Sequence, residues 1–166
     1  MTFEEFVYSR GAALVRFARV LTNDDDRADD LVQDVLANVL VKWRRVSKTD
    51  HPDIYVRRMI VNANRSWWRR LSNRELSVAA LPDRAAGHDI AHHIAERDHH
   101  WEMIAELPVR QRAVLVLRYY EDLDDASIAE ILDISRVTVR TAAMRALNTL
   151  RERHVSRLAT TPRSAQ

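Results

Sequence analysis

The stretch LDDASIAEILDISRVTVRTAAMRALNTLR, residues 123–151, holds two short helical patterns separated by the break Asp133-Ile134-Ser135. Asp124 can cap the first helix and Ser135 can cap the second. Apolar residues recur at helical spacing in both, at Ile128, Ala129, Ile131, Leu132, Val139, Ala143, Ala146, Leu147 and Leu150. Two capped helices around a tight turn predict a helix-turn-helix, whose second helix can enter the major groove of DNA.

The outward positions of the second helix favour contact with DNA. They are basic or hydroxylated, and no acid occurs between residues 135 and 151. Arginine can pair with guanine, and threonine or serine can reach phosphates or bases. The alternative is a solvated amphipathic helix in a helical bundle. The outward residues are Arg136, Thr138, Arg140, Thr141 and Arg145.

Composition predicts an all-α protein of one or two small domains. The chain has 166 residues, with only two glycines and four prolines, and its net charge is +2. It has no cysteine, which excludes disulfides and cysteine-ligated metals. No apolar run is long enough to suggest a signal peptide or a membrane span, so a cytoplasmic protein without a membrane partner is expected.

An acidic helix is predicted at about residues 24–45. Acids fill its first turns and bases its end, which complements the helix dipole. Asp29, Asp30 and Asp34 lie beyond the first turn, where the dipole explains them less well. Paired carboxylates could hold a metal or perform acid–base chemistry, but no histidine or second acidic cluster accompanies them. A docking face for a basic partner is the favoured interpretation.

A basic helix is predicted at about residues 53–73. One stripe is apolar and includes Trp67, which is expected to pack in the core, whereas Trp68 could be buried or exposed. Arginines interleaved with tryptophan suit phosphate contact and stacking on unpaired bases. The alternative is that the arginines are only solvated. The second stripe consists of Arg58, Asn62, Arg65 and Arg69.

The remaining segments are predicted as connections and shorter helices. Residues 74–95 resemble a linker, with histidines in and just after them; these could bind a metal but are more simply polar residues. Pro108 suits the first position of a helix that ends near Asp122. A disordered tail is expected after about Arg153. The histidines are His88, His92, His93, His99 and His100.

Three segments together resemble a known family. They are DDRADDLVQDVLANVLVKWRRV (residues 25–46), HPDIYVRRMIVNANRSWWRR (51–70) and LPVRQRAVLVLRYYEDLDDASIAEILDISRVTVRTAAMRAL (107–147). They are similar, in order, to the motifs of extracytoplasmic-function sigma factors of bacterial RNA polymerase, close to the SigE-like subgroup of actinobacteria. The resemblance implies sigma region 2 at residues 1–73, a flexible linker at 74–95, region 4 at 96–153 and a tail at 154–166.

The resemblance also implies roles for particular residues. The clamp of core RNA polymerase would bind Asp29, Asp30, Leu31, Gln33 and Asp34. The minus-10 promoter element would be opened and held by Arg58, Asn62, Arg65, Trp68 and Arg69. The minus-35 element would be read by Ser135, Arg136, Thr138, Arg140, Thr141 and Arg145. An anti-sigma factor is a further expected partner, and neither a cofactor, a metal, a small-molecule substrate nor a catalytic residue is expected.

Three residues depart from the family pattern. Asp133 stands where glycine is usual after the first helix of the helix-turn-helix, Val137 where glycine is frequent, and Ala142 where arginine is common. Asp tolerates the left-handed conformation, so the turn is expected to survive. A transcriptional regulator that binds duplex DNA on its own is the alternative function. An enzyme is disfavoured because no group of catalytic residues converges.

Overall fold

The computed structural model describes residues 1–75 and 103–160, and their side chains at 1–71 and 103–155. All regular structure in these ranges is helical. The predicted linker and its five histidines lie almost wholly outside the described residues. Within the described residues, no group of three or more potential metal ligands occurs and no helix is long and apolar enough to cross a membrane.

The N-terminal half contains four helices. They are α1 (Phe3–Thr22), α2 (Asp25–Val41), α3 (Trp43–Val46) and α4 (Pro52–Glu75). Thr2 and Glu5 form a capping box that starts α1, and the Asp24 side chain caps α2. The single helix predicted at 24–45 is interrupted at Lys42. Beyond that break, the Trp43 ring packs against Phe3 and Phe6, with ring centroids 5.6 and 5.2 Å apart.

In the C-terminal half, the described residues 109–160 form three helices and a π-helical turn, and residues 103–105 before them are also helical. The elements of residues 109–160 are α5 (Val109–Leu115), the turn Val116–Tyr120, α6 (Asp125–Leu132) and α7 (Arg136–Thr160). Pro108 precedes α5 as its N-cap rather than occupying its first position. Helix α7 extends to Thr160, past the boundary expected near Arg153. Arg153 pairs with Glu106 at 2.8 Å, which connects this part of α7 to the residues just before α5.

The two halves share one hydrophobic core. Phe17, Val56 and Ile60 from the first half belong to the same buried cluster as Leu117 and Ile131 from the second. Helix α4 packs on α6, and α1 packs on α5. The halves are therefore held closely against each other.

Buried arginines reinforce this packing. Arg57 has a side chain only 1% exposed, and it pairs with Asp53 at 2.9 Å and with Glu121, from the other half, at 2.8 Å. Arg112 donates from Nε to the carbonyl of Val20 at the end of α1, at 2.7 Å. Burial lowers the pKa of Arg112 from its ordinary value.

Candidate nucleic-acid interface

The helix-turn-helix predicted from residues 123–151 is present. The Asp124 carboxylate accepts the backbone N–H of Ser127 at 2.7 Å, and this hydrogen bond lowers the pKa of Asp124. Asp133 ends α6 in the left-handed conformation, with φ 53° and ψ 54°. Ser135 Oγ accepts the N–H of Thr138 at 3.1 Å and so caps α7. The turn therefore forms with Asp133 where glycine is usual.

The outer face of α7 combines basic, hydroxyl and apolar side chains. Thr138 and Thr141 are half-buried, and the Thr141 hydroxyl donates to the carbonyl of Val137 at 2.9 Å. Val137 is 70% exposed and Met144 57%, so two large apolar groups share a mainly basic surface. Sequence reasoning did not single out either as a contact. The exposed polar residues predicted here are Ser135, Arg136, Arg140 and Arg145.

The second predicted surface lies on α4. Arg58, Asn62, Arg65, Trp68 and Arg69 are all exposed, on the side away from the buried Val56 and Ile60. Helical spacing alone produces this division, because positions three and four apart share a face. These five residues together form the α4 stripe.

One member of the α4 stripe, Arg65, contacts the other half of the protein. Arg65 Nη2 donates to the carbonyl of Leu132 at 2.6 Å, at the end of α6. Its other terminal nitrogen lies 3.9 Å from a carboxylate oxygen of Asp133. The packing of the two halves thus draws one predicted minus-10 residue towards the turn of the helix-turn-helix.

The expectation that Trp67 packs in the core is wrong, because its side chain is 41% exposed. Arg27 of α2 covers it, with the guanidinium carbon 3.6 Å from the ring centroid. Trp68 meets Trp67 edge to face at 5.0 Å, and Arg27 also donates to Asn64. Burial lowers the pKa of Arg27, although Asp24 opposes that shift. This cluster joins α2 to the basic helix.

The predicted docking face lies on α2. Asp30, Gln33 and Asp34 are exposed, whereas Asp29 and Leu31 are half-buried. Asp29 lies 3.7 Å from Arg19 of α1, so its charge is partly neutralised by an ion pair within the protein. The exposed Leu40 and Val41 continue this side of the helix with apolar surface. Acidic and apolar groups therefore adjoin on one helix.

Comparison with known families matches each half separately. Residues 7–74 match the family described as Sigma-70 region 2, and residues 101–150 match Sigma-70, region 4. The chain is 34% identical over 157 residues to the RNA polymerase sigma-E factor of Streptomyces coelicolor, covering 95% of this chain and 88% of that one. It is 27% identical over 137 residues to the RNA polymerase sigma factor SigV of Bacillus subtilis, covering 82% and 81%.

Solved structures share the fold. The sigma factor RpoE of Bartonella quintana, in complex with the anti-sigma factor NepR, has a TM-score of 0.75 at 21% identity, covering 90% of this chain and 94% of that one. CnrH, in complex with the cytosolic domain of CnrY, has a TM-score of 0.60 at 23% identity, covering 93% and 88%.

Proposed function

This chain belongs to the extracytoplasmic-function group of the sigma-70 family, and we propose that it is an alternative sigma factor that directs core RNA polymerase to a specific set of promoters. The observation that carries the proposal is that a sigma-E relative aligns along 95% of this chain. The protein would act in the cytoplasm and supply binding and strand-separation energy rather than catalysis.

Core polymerase would dock on α2. Exposed Asp30, Gln33 and Asp34 offer an acidic face for a basic partner, and Leu40 and Val41 add apolar area beside it. Charge complementarity steers association, while burial of adjoining apolar groups holds the complex. This combination suits a docking helix better than a metal site, because carboxylates for a metal must converge on one point.

The α4 stripe would hold the opened minus-10 element. Arginines can neutralise the backbone of a single strand, and an exposed tryptophan can stack on a base. Trp68, at 47% exposure, lies beside Arg69 on this surface. The stripe is therefore suited to unpaired DNA, which presents base faces that a duplex conceals.

Helix α7 would read the minus-35 element as duplex. Its first turns carry Arg136, Arg140 and the capping Ser135, and residues near the start of a recognition helix contact base edges. Phosphate contacts would come from exposed Arg145 further along the helix.

The closely packed halves cannot engage both promoter elements together. Packed together, the described residues 1–75 and 103–160 form a body roughly 35–40 Å across. The two elements lie about 25 base pairs apart, or about 85 Å along B-DNA. The halves must therefore separate when the protein acts on a promoter, and the contacts of Arg57, Arg65 and Arg112 must break. An anti-sigma factor that binds the closed form, in which the two halves pack on each other, would keep the protein from acting on a promoter.

The test is a pull-down of purified core RNA polymerase with the wild-type chain and with Asp30→Arg plus Asp34→Arg. We expect wild type to bind and the variant to lose binding. The matched control is Asp26→Arg plus Asp50→Arg, which reverses two exposed charges outside the five docking residues. Binding that survives only in the control supports α2 as the docking site. If wild type fails to bind polymerase but shifts duplex DNA alone, the proposal is wrong and the protein is an independent regulator.

A further inference from the structure

Asp125, the first residue of α6, connects three parts of the helix-turn-helix region. One of its carboxylate oxygens accepts a hydrogen bond from Nη2 of Arg118, in the π-helical turn. The other accepts from Nε of Arg140, on α7, at 3.0 Å. The Asp125 side chain is 23% exposed, and that of Arg118 is 24% exposed. Two arginines on different helical elements therefore hold this carboxylate from both sides.

In this arrangement Nε of Arg140 is bonded to Asp125, whereas Nη1 and Nη2 can still bond to a ligand. The Arg140 side chain is 69% exposed, although it is tied at Nε. The guanidinium has five N–H groups in a rigid plane, so fixing Nε restricts the direction of Nη1 and Nη2. Within the described residues, Arg140 makes no other ion pair or hydrogen bond. Because the side chain is 69% exposed, Nη1 and Nη2 remain accessible to a ligand on the basic face of α7.

We infer that Asp125 is a positioning residue that presents the terminal nitrogens of Arg140 to a guanine in the upstream promoter element. Guanine offers O6 and N7 side by side in the major groove, and a guanidinium edge donates to both. Arg140 lies one turn into α7, in the part of a recognition helix that meets base edges. Because Nε is held by Asp125, the pairing uses Nη1 and Nη2. This inference rests on the proposed function.

A simpler role for Asp125 is structural. An acid in the first turn complements the dipole of α6, and its two ion pairs join neighbouring helices. The two roles differ in their effect on DNA. A positioning carboxylate near the phosphate backbone opposes non-specific binding while it improves selection of one base. Its removal would therefore raise or preserve non-specific affinity and reduce discrimination. Loss of a purely structural contact would not act at one base pair.

The experiment uses holoenzyme reconstituted from core RNA polymerase and the full chain. Promoter duplexes are first selected from a pool with a randomised upstream element. Each guanine of the selected element is then replaced in turn by 7-deazaguanine, which lacks the N7 acceptor. With wild type we expect one guanine at which this replacement weakens binding roughly tenfold, equal to about 1.4 kcal/mol. Arg140→Ala should bind both duplexes equally.

The Asp125→Asn variant tests the positioning role itself. We expect the penalty at that guanine to fall below about threefold, with affinity for unrelated duplexes unchanged or higher. The double variant Asp125→Asn plus Arg140→Ala should resemble Arg140→Ala alone, since Asp125 acts through Arg140. Glu130→Gln is the matched control, because it removes the same charge from an exposed position of the same helix. It should keep the full penalty.

Several results would overturn the inference. The first is that no guanine of the selected element loses its 7-deazaguanine penalty when Arg140 is replaced by alanine. The second is that Asp125→Asn keeps the full penalty, and the third is that the losses of Asp125→Asn and Arg140→Ala add in the double variant. If Asp125→Asn does not fold, as judged by circular dichroism, the same binding measurement is made with Arg140→Lys, because lysine keeps the positive charge but lacks the paired N–H donors of the guanidinium. Retention of the wild-type penalty by Arg140→Lys would then refute the inference. A holoenzyme that selects no element at all would refute the proposed function as well.

Discussion

The two helices proposed to contact DNA, α4 and α7, differ in how many of their arginines already pair with other parts of the protein. On α7, Arg136 and Arg145 face outward without an ion pair among the described residues, and Arg140 pairs only within its own half. On α4, Arg65 reaches across to the carbonyl of Leu132. Arg57, one residue before the stripe, is buried against Glu121 of the other half. Among the described residues, the packing of the two halves therefore leaves the proposed duplex-reading surface of α7 free of hydrogen bonds and ion pairs with the other half, whereas Arg65 of the proposed single-strand surface is held by α6.

This difference has a physical basis. A recognition helix must enter a groove as a rigid projection, so its outer face has to remain unobstructed. The α4 stripe, in the role proposed for it, would be needed only after the strands separate. Helix α4 can therefore bury its apolar side in the shared core while its basic side stays exposed.

Glu121→Ala should have the largest effect. It removes one of the two carboxylates that pair with Arg57 and leaves a guanidinium that is 1% exposed without its cross-half ion pair. Breaking one side of a buried ion pair costs about 3–5 kcal/mol, so we expect the free energy of unfolding to fall by about 3 kcal/mol or the halves to separate. Urea unfolding and small-angle X-ray scattering measure the two outcomes. A compact variant that loses less than about 1 kcal/mol would show that this contact does not hold the halves together.

Paired arginine substitutions should divide the two surfaces by DNA type. Arg58→Ala plus Arg69→Ala should weaken holoenzyme binding to templates with an unpaired minus-10 segment by roughly tenfold. The slope of log affinity against log salt concentration should become shallower by about one to two, as expected for the loss of one to two phosphate contacts. Arg136→Ala plus Arg145→Ala should weaken binding to the duplex upstream element by a similar factor. The measurement is fluorescence anisotropy over a salt series. Equal losses on both DNA types by both pairs would contradict the assignment.

The left-handed residues provide a smaller test. Asp133 has φ 53°, a conformation that glycine adopts without strain. Asp133→Gly should raise the free energy of unfolding by up to about 1 kcal/mol, while Asp133→Ala should lower it, since alanine cannot adopt φ > 0 without cost. Asn23, with φ 55° at the end of α1, is the matching position in the other half. Thermal unfolding of the Gly and Ala pair at each position measures the effect. Stabilisation by alanine would be the opposite of this prediction.

Much of this architecture follows from local patterns. Apolar spacing predicted α4, and apolar spacing together with capping residues predicted the helix-turn-helix of α6 and α7, because these signals lie within a few residues of each other. Asp133 illustrates this, since its tolerance of the left-handed region predicted that the turn would form. The exposure of the α4 stripe also follows from helical periodicity. The roles assigned to its residues came from the family resemblance and remain proposals.

Contacts between distant residues could not be read in this way. The Arg57–Glu121 pair joins residues 64 apart in sequence, and neither position carries a local signal that names its partner. Trp67 was assigned to the core because it falls on the apolar stripe of α4. Near the end of the helix the core no longer covers it, and Arg27 from α2 lies over the ring instead. A stripe predicts which side faces inward, but it does not show where the neighbouring helix ends.

The contacts of Arg27 with Trp67 and Asn64 allow a further small effect to be measured. Arg27→Met should lower the free energy of unfolding by about 1 kcal/mol, because it removes the cation–π contact and the hydrogen bond to Asn64 while keeping most of the side-chain volume. Tryptophan emission should also change, since a charge 3.6 Å from the indole is removed. Arg44→Met, at an exposed position, is the matched control and should change neither quantity. If both variants behave alike, Arg27 is only a solvated surface residue and α4 needs no support from α2 to place its tryptophans.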